Sequence, residues 1–266
     1  MKPSTALLVI ALTASPLLAA DRMTDKDVKA LVERIDDGRD KFEDKLDDTL
    51  KHSIVRGPDG EANVDKYLDD FKQNVDKLKD RLKSDYAASA EAATVLRQAS
   101  TIDRYMAEQP SDTKGKSEWN RLASDMKLLA RAYGADFPIA PNAPVRRMGD
   151  GEVAAAADLL SKSAEQLKKA LDNDLKKDKT IDKPTRQQIV GEADQLSDDA
   201  KTLRDRLKDG DPSSAEAQTV LDRASRIRSF MGDHNGLSTA TAAYGELAST
   251  LTAIASAFNV AAPTSR

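Results

Sequence analysis

Two histidines, His52 and His234, and no cysteine occur in this 266-residue chain. These counts restrict the chemistry at once. Without a thiol there is no disulfide, no thiolate metal site and no cysteine nucleophile. A di-iron bundle needs Glu-x-x-His pairs on facing helices, and no Glu stands three residues before either histidine. A haem site would use a core His or Met pair. Both histidines fall at helix ends or in loops, and Met23, Met106, Met148 and Met231 read as core filler. The serines lack the His-Asp setting of a nucleophile. Ser89, Ser100, Ser214 and Ser225 read as cap or small packing residues. Glycine-rich phosphate loops are absent. The expectation is no catalytic residue, no cofactor and no resident metal.

Acids remain to be considered. Asp36–Asp48 is rich in carboxylates and could hold a hard cation weakly, but it lacks the spacing of an EF-hand loop. A solvated helix face is the simpler reading. One charged set recurs 125 residues on: Asp80, Arg81, Lys83 and Glu91 return as Asp205, Arg206, Lys208 and Glu216. Arg81 and Glu91 flank one turn between helices. A salt bridge, or a Glu complementing a helix N-terminus, accounts for them. A ligand or partner site at Asp80, Arg81, Glu91, Asp205, Arg206 and Glu216 is the sharper candidate.

These charges belong to a longer repeat. Leu78–Met106 returns as Leu203–Met231 without a gap, with about half the positions identical. The same shift carries Val64, Leu68, Phe71, Val75, Leu78 and Leu82 onto Ile189, Ala193, Leu196, Ala200, Leu203 and Leu207. Their spacing by threes and fours is a heptad seam. Trp119, Leu122, Met126, Leu129 and Tyr133 map onto Tyr244, Leu247, Leu251, Ile254 and Phe258, Arg22-Met23 onto Arg147-Met148, and Pro138 onto Pro263. Helices are expected from Thr24 or Asp25 to about Lys51, then to about Lys83 after the Gly57-Pro58-Asp59-Gly60 turn. Two more follow over about Ser89–Glu108 and Ser117–Ala135. Gly38 should cost the first helix a little stability. Pro138, Pro141 and Pro144 punctuate a boundary.

The expected fold is therefore all-α, a tandem duplication of an antiparallel up-down-up-down four-helix bundle with eight helices in the mature chain. Its parts are a signal peptide over 1–20, a first repeat over 22–137, a Pro-rich linker over 138–146 and a second repeat over 147–263. Met1–Ala20 pairs Lys2 with an apolar run broken by Thr13, Ser15 and Pro16, and a strongly charged sequence follows. That is the layout of a secretory signal, and it falls short of the ~20 apolar residues that span a bilayer. The mature protein is expected to be exported, periplasmic in a Gram-negative cell and otherwise extracellular, with no stable membrane insertion.

Charged residues make up 32% of the chain, of mixed sign, and sum to −4, which argues against nucleic-acid binding. Ser238–Ala262 has Glu246 as its one charge, so it is a candidate for docking on the first repeat or on a second molecule. The expected function is a non-enzymatic binding, scaffold or envelope interaction module whose partner is an unknown protein or small ligand. The alternative is a carrier of a small apolar or amphipathic ligand in a bundle core, where Ala156, Ala157, Ala193 and Ala200 could leave room. A carboxylate-only enzyme would need two acids converging in a cleft.

Overall fold

The structure is a computed structural model that describes residues 22–57, 60–84, 86–234 and 236–263. The expected signal peptide lies outside the described residues. The chain is mostly helical: nine helices and one two-stranded hairpin occur among the described residues.

Helix α1 (Asp25–Lys45) starts at a capping box in which Thr24 accepts from the Asp27 amide and Asp27 accepts from the Thr24 amide. Its stripe of Val28, Leu31, Val32, Ile35 and Phe42 is buried. Next come α2 (Asp48–Lys51), β1 (Ile54–Gly57), β2 (Gly60–Asn63), α3 (Val64–Lys83), α4 (Ser89–Ala107) and α5 (Lys116–Ala132). A non-helical stretch leads to α6 (Asp150–Lys177), α7 (Lys183–Asp209), α8 (Ser214–Asp233) and α9 (Ser238–Ala257).

Two cores result. Around the first, α1 packs on α3 and α5, and α4 packs on both of those. Around the second, α6 packs on α7 and α9, and α8 packs on both. All six seam positions of α3 and their six counterparts in α7 are buried. So are Trp119, Leu122, Met126, Leu129 and Tyr133 and their counterparts near the end of the chain. Buried aromatics with a polar tip find acceptors: Trp119 donates to Asp103 (2.9 Å), Tyr133 to the Ala87 carbonyl (2.7 Å) and Tyr244 to the Ala224 carbonyl (3.0 Å). The Pro-rich stretch also feeds the first core. Ile139 and Val145 are buried there, and the Ile139 amide donates to Ser100 Oγ at 2.8 Å.

Three local features depart from expectation. First, α1 stops at Lys45 rather than Lys51. Leu46 turns extended and the Asp47 side chain caps α2 by accepting from the Thr49 amide. Gly115, at φ +85°, presses on this break, since a Cβ there would lie 3.0 Å from Leu46 Cα. The counterparts in the second half are Ala240 and an unbroken α6, whose Asp174 accepts from the amides of Thr239 and Ala240 (2.8 and 3.0 Å) and so caps α9. Second, Ile54–Gly57 pairs antiparallel with Gly60–Asn63 as a short hairpin. Third, α9 ends at Ala257 rather than Ala262. Asn259 follows in the left-handed conformation, like Gly134 after α5, and both ends close by equivalent backbone bonds, Ala135 to Ala130 and Val260 to Ala255. Gly38 has a packing use: a Cβ there would sit 3.3 Å from Leu122 Cδ1, so its absence lets α5 lie close to α1.

Candidate functional site

The candidate turn residues flank the α3–α4 and α7–α8 turns. Arg81 pairs with Glu91 at 3.6 Å across the α3–α4 turn, and Arg206 with Glu216 at 3.0 Å across the α7–α8 turn. Arg206 also donates to the Pro212 carbonyl, and Arg81 lies over the Tyr86 ring. Asp80 pairs with Lys83 and Asp205 with Arg204, each on its own helix. These contacts tie the two turns.

The acids of α1 are occupied too. Arg39, 2% exposed, pairs with Asp36, Asp40 and Glu43. Lys79 holds Asp36 and Glu33 at 2.5 and 2.8 Å, and its pKa is raised, first by the hydrogen bond to Asp36. Among the described residues no group of His, Asp or Glu is arranged to hold a metal ion. His234 stacks on Phe230, and its Nδ1 donates to the Phe230 carbonyl at 2.7 Å. His52 is the C-terminal cap of α2, and its amide donates to the Leu50 carbonyl.

A densely bonded group stands elsewhere, where the N-termini of α1 and α6 meet. The Arg22 amide donates to Ser214 Oγ at 3.2 Å, and the Arg147 amide donates to Ser89 Oγ at 3.2 Å. Arg22 donates to the Met148 carbonyl (2.6 Å), and Arg147 to that of Met23 (2.8 Å). The Asp25 amide donates to Asp150 and the Asp150 amide to Asp25, both at 2.7 Å. Arg22 pairs with Asp150, and Arg147 with Asp25 at 2.6 Å. Each of these bonds has its mirror at a shift of 125 residues, so the contact is close to isologous, as across a two-fold axis, and the added Arg147–Asp150 contact at 3.8 Å is the departure from it.

The energetics follow from charge and burial. Two helix N-termini face each other, each with an Asp as its first residue, and carboxylates complement the exposed amides and the positive end of the dipole. Alone, two such acids would repel. Arg22 and Arg147, with side chains 6% and 4% exposed, supply the balancing charge. Burial, and then the neighbouring Arg147, lower the pKa of Arg22, although a guanidinium stays protonated in proteins. Every oxygen of the acid pair accepts from an arginine or an amide. These two acids do converge, but as a bonded lock.

Beside the lock runs a crevice between the C-terminal ends of α5 and α9. Its wider part, about 490 Å³, reaches Arg22, Leu128, Arg131 and Asp136. A narrower part, about 360 Å³, reaches Ser89, Arg146 and Ser256. Ala132, Gly134, Arg147, Ala257 and Asn259 line both.

Sequence reasoning passed over this lock. Arg22-Met23 and Arg147-Met148 stood out as repeated, and Ser89 and Ser214 as small residues, but Asp25 and Asp150 were not joined to them. The signal was present in the shared shift of all four pairs. No protein family, no curated protein and no solved structure matches the chain.

Proposed function

We propose that the chain is a tandem duplication of an antiparallel up-down-up-down four-helix bundle, and that it serves as an exported, non-enzymatic binding or scaffold protein of the cell envelope. The reciprocal junction carries this reading. It spends buried arginines, carboxylates and helix termini on fixing one half against the other. A fixed pair of units suits a protein that presents surfaces at set spacing. The outer faces are laced with ion pairs such as Lys168–Asp194 and Lys162–Asp158, which keep helices soluble and leave contacts to be made by shape and charge.

The carrier reading with a ligand in a bundle core has less support. A void among Phe42, Leu46, Val55 and Leu68 holds about 10 Å³, about the room of one water. Ala157, Ala193 and Ala200 have no exposure, which fits close approach of α6 and α7. The outward positions of α9, among them Ala242, Gly245, Ala248, Ser249 and Thr252, are exposed. Helix α9 packs on α6 and α8, and Phe258 at its end lies under Arg22 of the first half, so a docking role for the exposed outward face of Ser238–Ala262 concerns a second molecule.

The test is photo-crosslinking in the source cell, with a benzophenone amino acid at Ser249 of α9 or Ser124 of α5. The proposal expects the processed protein outside the cytoplasm, crosslinked to a discrete envelope protein from one of these faces. Recovery of unprocessed chain in the cytoplasm would refute export. Processed chain without any crosslinked protein, purified with a stoichiometric small molecule, would favour the carrier.

A further inference from the structure

Residues that recur at the 125-residue shift build the lock, and several recurring residues, among them Arg22, Arg147, Ala132 and Ala257, also line the crevice. Other parts of its lining do not recur: Leu128, Arg131 and Asp136 face Ala253, Ser256 and Ala261 in the alignment, and Arg146 lies in the linker outside the repeat. One side of an otherwise two-fold arrangement thus carries charge and an exposed apolar side chain that the other lacks.

That charge is mostly unmatched. Arg131 and Arg146 are exposed and have no ion pair among the described residues. Asp136 is the one acid lining the wider part. Arg22 and Arg147 are already balanced by Asp150 and Asp25. Arg147 lines both parts of the crevice, but its Nε, like those of Arg39 and Arg186, is buried without a hydrogen-bond partner among the described residues and does not reach the open space, so the exposed pair Arg131 and Arg146 supplies the free charge.

We propose that this crevice binds a small organic oxyanion, a carboxylate or phosphate carried on a short apolar body. Guanidinium groups present paired donors that match the oxygens of either head group. The head is held where the two parts of the crevice meet, with Arg131 on one side and Arg146 on the other. Leu128, 36% exposed, and the methyl groups of Ala132, Ala135 and Ala257 offer the tail an apolar wall. The volume of about 490 Å³ falls within the range of ligand sites. The site goes beyond the scaffold reading and does not depend on export.

Calorimetric titration of the full mature chain with octanoate, octyl phosphate, inorganic phosphate and octanol tests the proposal. Octanoate or octyl phosphate is expected to bind, and the stronger of the two identifies the head group. Octanol and inorganic phosphate should each bind at least ~10-fold more weakly, since each lacks one half of the recognition. The charge reversal Arg131→Glu with Arg146→Glu should weaken the preferred probe by at least ~10-fold. Both positions are exposed, so the circular dichroism spectrum and melting temperature should not move. Binding of neither octyl anion, equal binding of inorganic phosphate, or affinity unchanged by the charge reversal would each overturn the proposal.

Discussion

Asp25 and Asp150 each do two things: accept the first amide of the opposing helix and hold the opposing arginine. Removing Asp25 leaves the buried Arg147 guanidinium with the Met23 carbonyl and the more distant Asp150, at 3.8 Å, so the loss lies at the low end of the about 3–5 kcal/mol typical of a broken buried pair. Asp25→Ala is therefore expected to lower unfolding stability in urea by about 3 kcal/mol. Adding Arg147→Met should return part of that loss by removing the stranded charge. Additive losses in the two variants would show that the pair is not coupled. Asp174 provides a second test, through pH. Burial acts to raise its pKa, but the amides of Ala240 and Thr239 outweigh burial and hold it below the ordinary carboxylate value. A folded-state pKa below the unfolded value, about 3.9, gives stability that is fully present above that value and is lost as pH falls through the folded one. The stability difference between wild type and Asp174→Asn should thus be largest near neutral pH and shrink below about pH 4. A difference independent of pH would mean that the charge does not matter to the cap.

At the level of elements, the two halves share seams and differ at ends. The seam of α3 and its partner in α7 could be read from spacing alone, because a heptad stripe has one way to be buried. The break after α1 could not. It depends on Gly115, some seventy residues away, whose positive φ and missing Cβ let α5 begin against Leu46. The hairpin was legible as a turn but not as strands, since Ile54–Gly57 has Val55 as its one buried residue. Glycine substitutions separate these cases. Gly115→Ala should lower the melting temperature, at a cost of about 1–3 kcal/mol from strain and crowding. Gly191→Ala, in α7 with nothing within 4 Å of the added methyl, should instead raise stability by about 0.5–1 kcal/mol. Thermal melts of both variants check the pair, and a loss at Gly191 would contradict the assigned helix.

Across the whole molecule, the decisive contacts join residues that look unremarkable in sequence. Arg22 follows a largely apolar stretch of sequence and Arg147 follows a run of prolines. Nothing local distinguishes either from a surface charge. Their pairing with Asp150 and Asp25 emerges once the starts of α1 and α6 are brought together, and α6 cannot move away freely because Ile139 and Val145 anchor the intervening stretch in the first core. The prediction is that the two halves move as one body. Because the chain has no cysteine, spin labels can be placed without background at Ser124→Cys on α5 and Ser249→Cys on α9, equivalent exposed positions in the two halves. Pulsed electron–electron resonance should give one narrow distance distribution for the intact protein and a broad one once Asp25→Ala and Asp150→Ala are introduced together. A broad distribution in the intact protein, or an unchanged narrow one without the two carboxylates, would contradict the junction as the lock between the halves.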